Sequence, residues 1–119
     1  MRKVKAYQGS GTYNDSKFMV FIALKLVEDA SGKNFRGLTP REVTDLTGLS
    51  YHYVPVLLHY QANRKRGYLL YEAGERNWQL DRWFFLSLKG KAYIRKIPEW
   101  KFNECIERLE AIQTARGGQ

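Results

Sequence analysis

The stretch Thr39-Pro-Arg-Glu-Val-Thr-Asp-Leu-Thr-Gly-Leu-Ser50 does most to limit what this chain can become. Thr at an N-cap, Pro at the first helical position and Glu at the third are three helix-start signals in register. A helix therefore begins at Pro40. Val43 and Leu46 stand three apart on its apolar side, and Gly48 stops it after about two turns. Ser50 is the next cap candidate, followed by Val54, Leu57, Leu58 and Gln61-Ala62 at helical spacing as far as Gly67. Two helices thus flank a tight Gly-Leu-Ser turn. Pro55 disturbs the second of them: with Ser50 as cap it is the fifth helical residue, where its ring and missing N–H do not fit. A later start or a bend is expected there.

On the N-terminal side, Asn14, Asp15 and Ser16 are cap candidates for a first helix reaching about Asp29, with Phe18, Phe21, Ile22 and Leu26 as its buried stripe. Ahead of it, residues 1–14 carry Gly9, Ser10 and Gly11 without apolar periodicity and read as a flexible basic arm. Phe35 to Leu38 makes a short extended piece. Beyond Gly67 the preference turns to strand: Tyr68 to Tyr71 and Trp83 to Leu86 read as a β-hairpin with a polar tip. Ser87 opens a fourth helix (Leu88, Ala92, Tyr93, Ile97) that Pro98 terminates. A last helix runs from about Glu99 to Ala115, with Phe102, Cys105, Ile106, Leu109 and Ile112 on one stripe. That stripe either packs on the first helix or pairs with a second copy of the chain as a homodimer. The expected class is α+β, with residues 15–97 as one domain and 98–119 as an added helix for packing or dimerisation.

Charge is distributed unevenly over this plan. The 119 residues carry a net charge of +8. Arg2, Lys3 and Lys5 are unopposed in the arm. Residues 15–49 balance, and the final segment is slightly acidic. From 50 to 97, nine bases (Arg64, Lys65, Arg66, Arg76, Arg82, Lys89, Lys91, Arg95, Lys96) face three acids (Glu72, Glu75, Asp81). A positive region of this kind suits a polyanion, because neutralising phosphates releases condensed counterions. Hydrophobic residues at 44% and aromatics at 14% are too many for a disordered polycation.

Other classes are disfavoured. One cysteine, Cys105, gives no disulfide framework and no Cys-rich metal site, and an intracellular, cytoplasmic location is the default. The longest apolar run, Phe18 to Leu24, is too short to cross a bilayer, and the basic start at Met1 is not followed by a cleavage site, so no membrane association is expected. His52 and His59 have no carboxylate or thiol between them to complete a metal site or a triad. Gly9-Ser-Gly11 lacks the Lys-Ser/Thr of a phosphate loop. No catalytic residue, metal or cofactor is expected.

Leu38-Thr-Pro-Arg-Glu-Val-Thr-Asp-Leu-Thr-Gly-Leu-Ser50, Arg64-Lys-Arg-Gly-Tyr-Leu69 and Leu86-Ser-Leu-Lys-Gly-Lys-Ala-Tyr-Ile94 resemble winged helix-turn-helix regulators of the MarR and PadR kind, over about residues 16–97. Asn63, at the position where such helices usually carry an apolar residue four before the glycine, departs from the pattern. The resemblance implies a three-helix core with a hairpin wing, binding double-stranded DNA as a transcriptional regulator. The helix from Ser50 to Arg66 would enter the major groove. His52, Tyr53, Val56, His59, Tyr60 and Asn63 are then its outward readers, with Ser50 at its start. Arg64, Lys65 and Arg66, the hairpin's Arg76 and Arg82, and the arm's Arg2, Lys3 and Lys5 would meet phosphate or a minor groove. Dimers are common in this family, which would place Phe102, Ile106, Leu109 and Ile112 in a two-fold contact. A second reading is a protein-interaction module whose hairpin aromatics (Trp78, Trp83, Phe84, Phe85) dock a partner. A third is stacking of single-stranded nucleic acid on the same rings.

Overall fold

The computed structural model describes residues 9–75 and 82–117. Five helices and one two-stranded antiparallel sheet follow in the order α1 (Gly9–Ser31), α2 (Pro40–Thr47), α3 (Val54–Ala62), β1 (Leu69–Ala73), β2 (Arg82–Leu86), α4 (Leu88–Arg95) and α5 (Glu99–Gly117), with a single 3-10 turn at Gly32–Asn34. The class is α+β.

α1 starts at Gly9, ahead of the Asn14–Ser16 caps, so residues 9–14 belong to a helix and not to a flexible arm. Residues 1–8, with Arg2, Lys3 and Lys5, lie outside the described residues. Val20, Phe21 and Leu24 enter one apolar cluster, while Met19, Ile22 and Ala23 enter a second on the adjoining side. A helix buried on two sides draws its stability from packing on both.

The start of α2 follows its sequence. Thr39 Oγ1 accepts from the Glu42 N–H at 3.2 Å, and Glu42 Oε1 accepts from the Thr39 N–H at 2.9 Å, closing a reciprocal capping box ahead of Pro40. Gly48 ends the helix at φ 72°, in the left-handed region open to glycine.

α3 is shorter than the Ser50–Arg66 helix expected. Ser50 caps a turn instead: its Oγ accepts from the His52 N–H at 3.1 Å, and its carbonyl accepts from Tyr53 and Val54 at 3.1 and 2.9 Å. The helix proper opens at Val54, placing Pro55 in the first turn, where a missing N–H removes no bond. At the other end Asn63 adopts an extended ψ of 163°, and its Oδ1 accepts from the Arg66 N–H at 2.9 Å. Arg64, Lys65 and Arg66 therefore sit in a turn beyond the helix, closed by Gly67 at φ 66°.

The strands pair Leu69 with Leu86, Leu70 with Phe85, Tyr71 with Phe84, Glu72 with Trp83 and Ala73 with Arg82. Alternation sends Leu69, Phe84 and Leu86 into the core and turns Leu70, Glu72, Trp83 and Phe85 to the other face. Leu38 adds one bridge on the free side of β2, its N–H donating to Phe84 O and its carbonyl accepting from Phe84 N, both at 2.8 Å. That is all the pairing the Phe35–Leu38 piece contributes.

The main core joins α1, α2, α3, the hairpin and α4 through Phe21, Val43, Val54, Leu57, Leu58, Leu69, Phe84 and Ile94. α5 closes the second cluster, with Cys105 and Leu109 buried against Met19, Ile22 and Ala23, and Phe102, Ile106 and Ile112 partly buried around them. Of the two roles open to the α5 stripe, the structure uses it inside one chain. Phe102, Ile106 and Ile112, named with Leu109 for a homodimer contact, are only partly buried within the chain. Among the described residues no helix is long and apolar enough to cross a membrane.

Candidate nucleic-acid interface

The residues expected to read a ligand divide into three groups. On α3, Val56 is 65% exposed and Tyr60 45%, one turn apart on the same side, and His52 is exposed at the entry turn. These three are presented outward.

Tyr53 and His59 are not. Tyr53 is half-buried and packs on the main core. His59 is half-buried between α3 and the hairpin, its ring edge-on to Phe84 at 5.1 Å and to Tyr71 at 6.0 Å. Arg82 Nη1 lies 3.3 Å from His59 Nδ1 and donates to it, so the imidazole orients a cation rather than facing solvent. With α3 opening at Val54, position 59 points to the sheet, which an outward helix beginning at Ser50 did not anticipate. Asn63 is exposed, but its side-chain oxygen closes the turn after α3, and Ser50 closes the turn before it.

The basic residues form the third group. Arg64 and Lys65 are exposed. The Arg66 guanidinium lies 5.0 Å from the Tyr60 ring and 5.7 Å from that of Tyr68, and Lys89 Nζ is 4.6 Å from Tyr68 while donating to Arg66 O at 2.6 Å. Arg82 stacks on Tyr71 at 4.4 Å, on the sheet face turned to α3. Cations over aromatic faces are held by the ring quadrupole without a carboxylate to cancel them. The Nε of both Arg66 and Arg82 is buried without a hydrogen-bond acceptor among the described residues. Arg76 and Trp78 fall in residues 76–81, outside the described residues, as do the three arm cations.

Two participants escaped the sequence reading. Arg41, in the first turn of α2, places its guanidinium 5.0 Å from the ring of Tyr51, which leads into α3. Arg41 belongs to a segment whose charges balance, and no periodicity links it to a tyrosine across Gly48. Lys89 was counted among the bases but its seat on Tyr68 depends on α4 folding back onto the strand.

Ion pairing separates this side from the rest. Among the described residues every ion pair includes a residue of α1 or α5: Lys25 with Asp29, Lys91 with Glu28, Lys101 with Asp15 and Glu104, Arg108 with Asp15, and Arg116 with Asp45. Among those residues Arg41, Arg64, Lys65, Arg66, Arg82 and Lys89 make none. No cluster of His, Cys, Asp and Glu able to hold a metal occurs among the described residues. Compared with protein-family models, curated proteins and solved structures, the chain finds no match.

Proposed function

We propose that this chain is a winged-helix protein that binds double-stranded DNA in a sequence-specific way, as a cytoplasmic regulator of transcription. One observation carries the reading: among the described residues the cations around α3 and the hairpin make no ion pair, and Arg41, Arg66, Arg82 and Lys89 are held over aromatic rings, while ion pairs gather on α1 and α5. A surface built only for solubility has no reason to separate the two. Unpaired, pre-positioned guanidinium groups suit phosphates, whose neutralisation drives association through counterion release. Val56 and Tyr60 project between them, an apolar group for a thymine methyl and a hydroxyl for a base edge. The element order supports the same assignment, with a short helix, a tight turn, a second helix and then a hairpin.

The protein-docking alternative is less well supported. Of the hairpin aromatics meant to meet a partner, Phe84 is fully buried, Phe85 is half-buried, and Trp83 is half-buried with the Arg36 guanidinium 5.4 Å from its ring. The test is titration of the full chain with labelled duplex DNA at several salt concentrations. The expected result is binding that weakens steeply with salt, and a loss of affinity when Arg64 and Lys65 are both replaced by Ala. Absence of binding at low salt, or binding indifferent to salt, refutes the reading.

A further inference from the structure

We propose that Arg41, mounted on Tyr51, and Arg66, mounted on Tyr60, are paired phosphate contacts at the two ends of α3, and that the tyrosines are positioning residues for them. This rests on the duplex-binding reading above and extends it to roles for Arg41 and Tyr51 that it did not assign.

Arg41 has a nearer potential partner and does not use it. Asp45 lies four residues on along α2, the usual spacing for a helical ion pair. Its carboxylate instead faces Arg116 at 3.9 Å, and Arg41 lies across the Tyr51 ring at 5.0 Å. Glu42, beside it, is committed to the capping box with Thr39. Arg41 is thus exposed, without an ion-pair partner among the described residues, and seated on the Tyr51 ring. Arg66 repeats the arrangement on Tyr60, with Lys89 fixing the carbonyl of the same residue.

The spacing favours a double helix as the ligand. Tyr51 lies in the turn that enters α3 and Tyr60 in its last turn, so the two seats bracket the helix, and the major groove of B-DNA that would admit it is about 12 Å wide. Guanidinium groups at both ends of a helix seated in that groove meet phosphates of opposite strands. A single strand offers no second backbone at that distance. Stacking also lowers the conformational cost of binding, since an arginine already immobilised on a ring loses less rotamer freedom when it reaches a phosphate.

The test compares full-length variants against one labelled duplex of mixed sequence over a range of potassium chloride. Arg41→Ala is expected to weaken binding about 3- to 10-fold, by a similar factor for unrelated sequences, and to lower the slope of log affinity against log salt by about 1. Tyr51→Ala is expected to weaken binding with less change in slope, because the charge remains and only its placement is lost. Tyr51→Phe keeps the ring and is expected to bind like wild type. Wild-type affinity and slope in Arg41→Ala, alongside a loss in the Arg64→Ala, Lys65→Ala double variant, would overturn the clamp and leave the duplex reading standing. Tyr51→Phe binding as poorly as Tyr51→Ala would overturn the positioning role. A wild-type chain that does not bind duplex at low salt removes both.

Discussion

The Gly90 Cα rests against the Tyr68 carbonyl oxygen so closely that a Cβ at position 90 would penetrate it. The contact is one strand of a lock between the end of α3, β1 and the start of α4. Tyr68 N donates to Gln61 O at 3.0 Å, Ser87 N donates to Tyr68 O at 3.1 Å, Ser87 Oγ donates to Gly67 O at 2.6 Å, and Gly90 N donates to Ser87 Oγ at 3.1 Å. The backbone obstacle at position 90 cannot swing aside as a side chain would. Gly90→Ala is therefore expected to destabilise the fold by about 1–3 kcal/mol despite alanine's better helix propensity. Gly32 supplies the comparison: its φ is 60° but nothing lies within 4 Å, so Gly32→Ala carries only the cost of the left-handed backbone, about 1 kcal/mol. Urea unfolding of both variants checks this, and equal losses would refute the steric account.

Thr39→Ala removes the side-chain half of the capping box, since the Glu42 N–H loses its acceptor and the Glu42 carboxylate loses the hydroxyl at 3.2 Å, while the backbone Thr39 N–H still donates to Glu42 Oε1. The expected loss is about 1 kcal/mol, read as a lower urea midpoint at unchanged slope. Thr39→Ser retains an acceptor at the same place and is expected to stay close to wild type.

Gln61 has no exposed surface, and among the described residues neither its amide oxygen nor its nitrogen has a hydrogen-bond partner. A buried amide left unpaired costs about 1–3 kcal/mol relative to the same group in water. Gln61→Met keeps the length of the side chain without the amide, and is expected to raise stability by about 1 kcal/mol or more. The backbone bond from Tyr68 N to Gln61 O survives the exchange. A midpoint at or below wild type would show that the amide is satisfied in solution.

What could be read from the residues was whatever local chemistry decides. Thr39, Pro40, Glu42 and Gly48 act within one short helix, and their roles hold in the structure. Ser87 likewise caps α4, its Oγ accepting from Gly90 N. The extent of α3 was harder to read, because Ser50 is a good cap for either a helix or a turn and Pro55 alone tips the choice. The candidate site divides in the same way. Val56, Tyr60, Arg64 and Lys65 are exposed as helical spacing and charge suggested. The inward turn of His59 required the position of β2, and the Arg41–Tyr51 stack required the angle between α2 and the segment entering α3.

Cys105 and Lys101 together predict an alkaline limit to stability. Burial pushes the Cys105 thiol above its ordinary value, and the hydrogen bond to Asp15 raises Lys101, helped by Glu104 at 3.1 Å and opposed by its own partial burial. In the unfolded chain the thiol ionises from about pH 9.0 while the folded one stays protonated, so the unfolded state gains protons less readily and becomes favoured as pH rises. Lys101 has the same sign: its contribution is complete below pH 10.5 and is lost as pH climbs through the folded value. Stability is thus expected to be insensitive to both groups at neutral pH and to fall above about pH 9. Cys105→Ala lowers the whole curve by leaving a cavity, but it is expected to flatten the part just above pH 9. Thiol labelling gives an independent check: reaction of Cys105 with a disulfide reagent at pH 8 is expected to be slow in the folded protein and fast in urea, because the thiolate is the reactive form. Equal labelling rates in both states would refute the buried, protonated thiol.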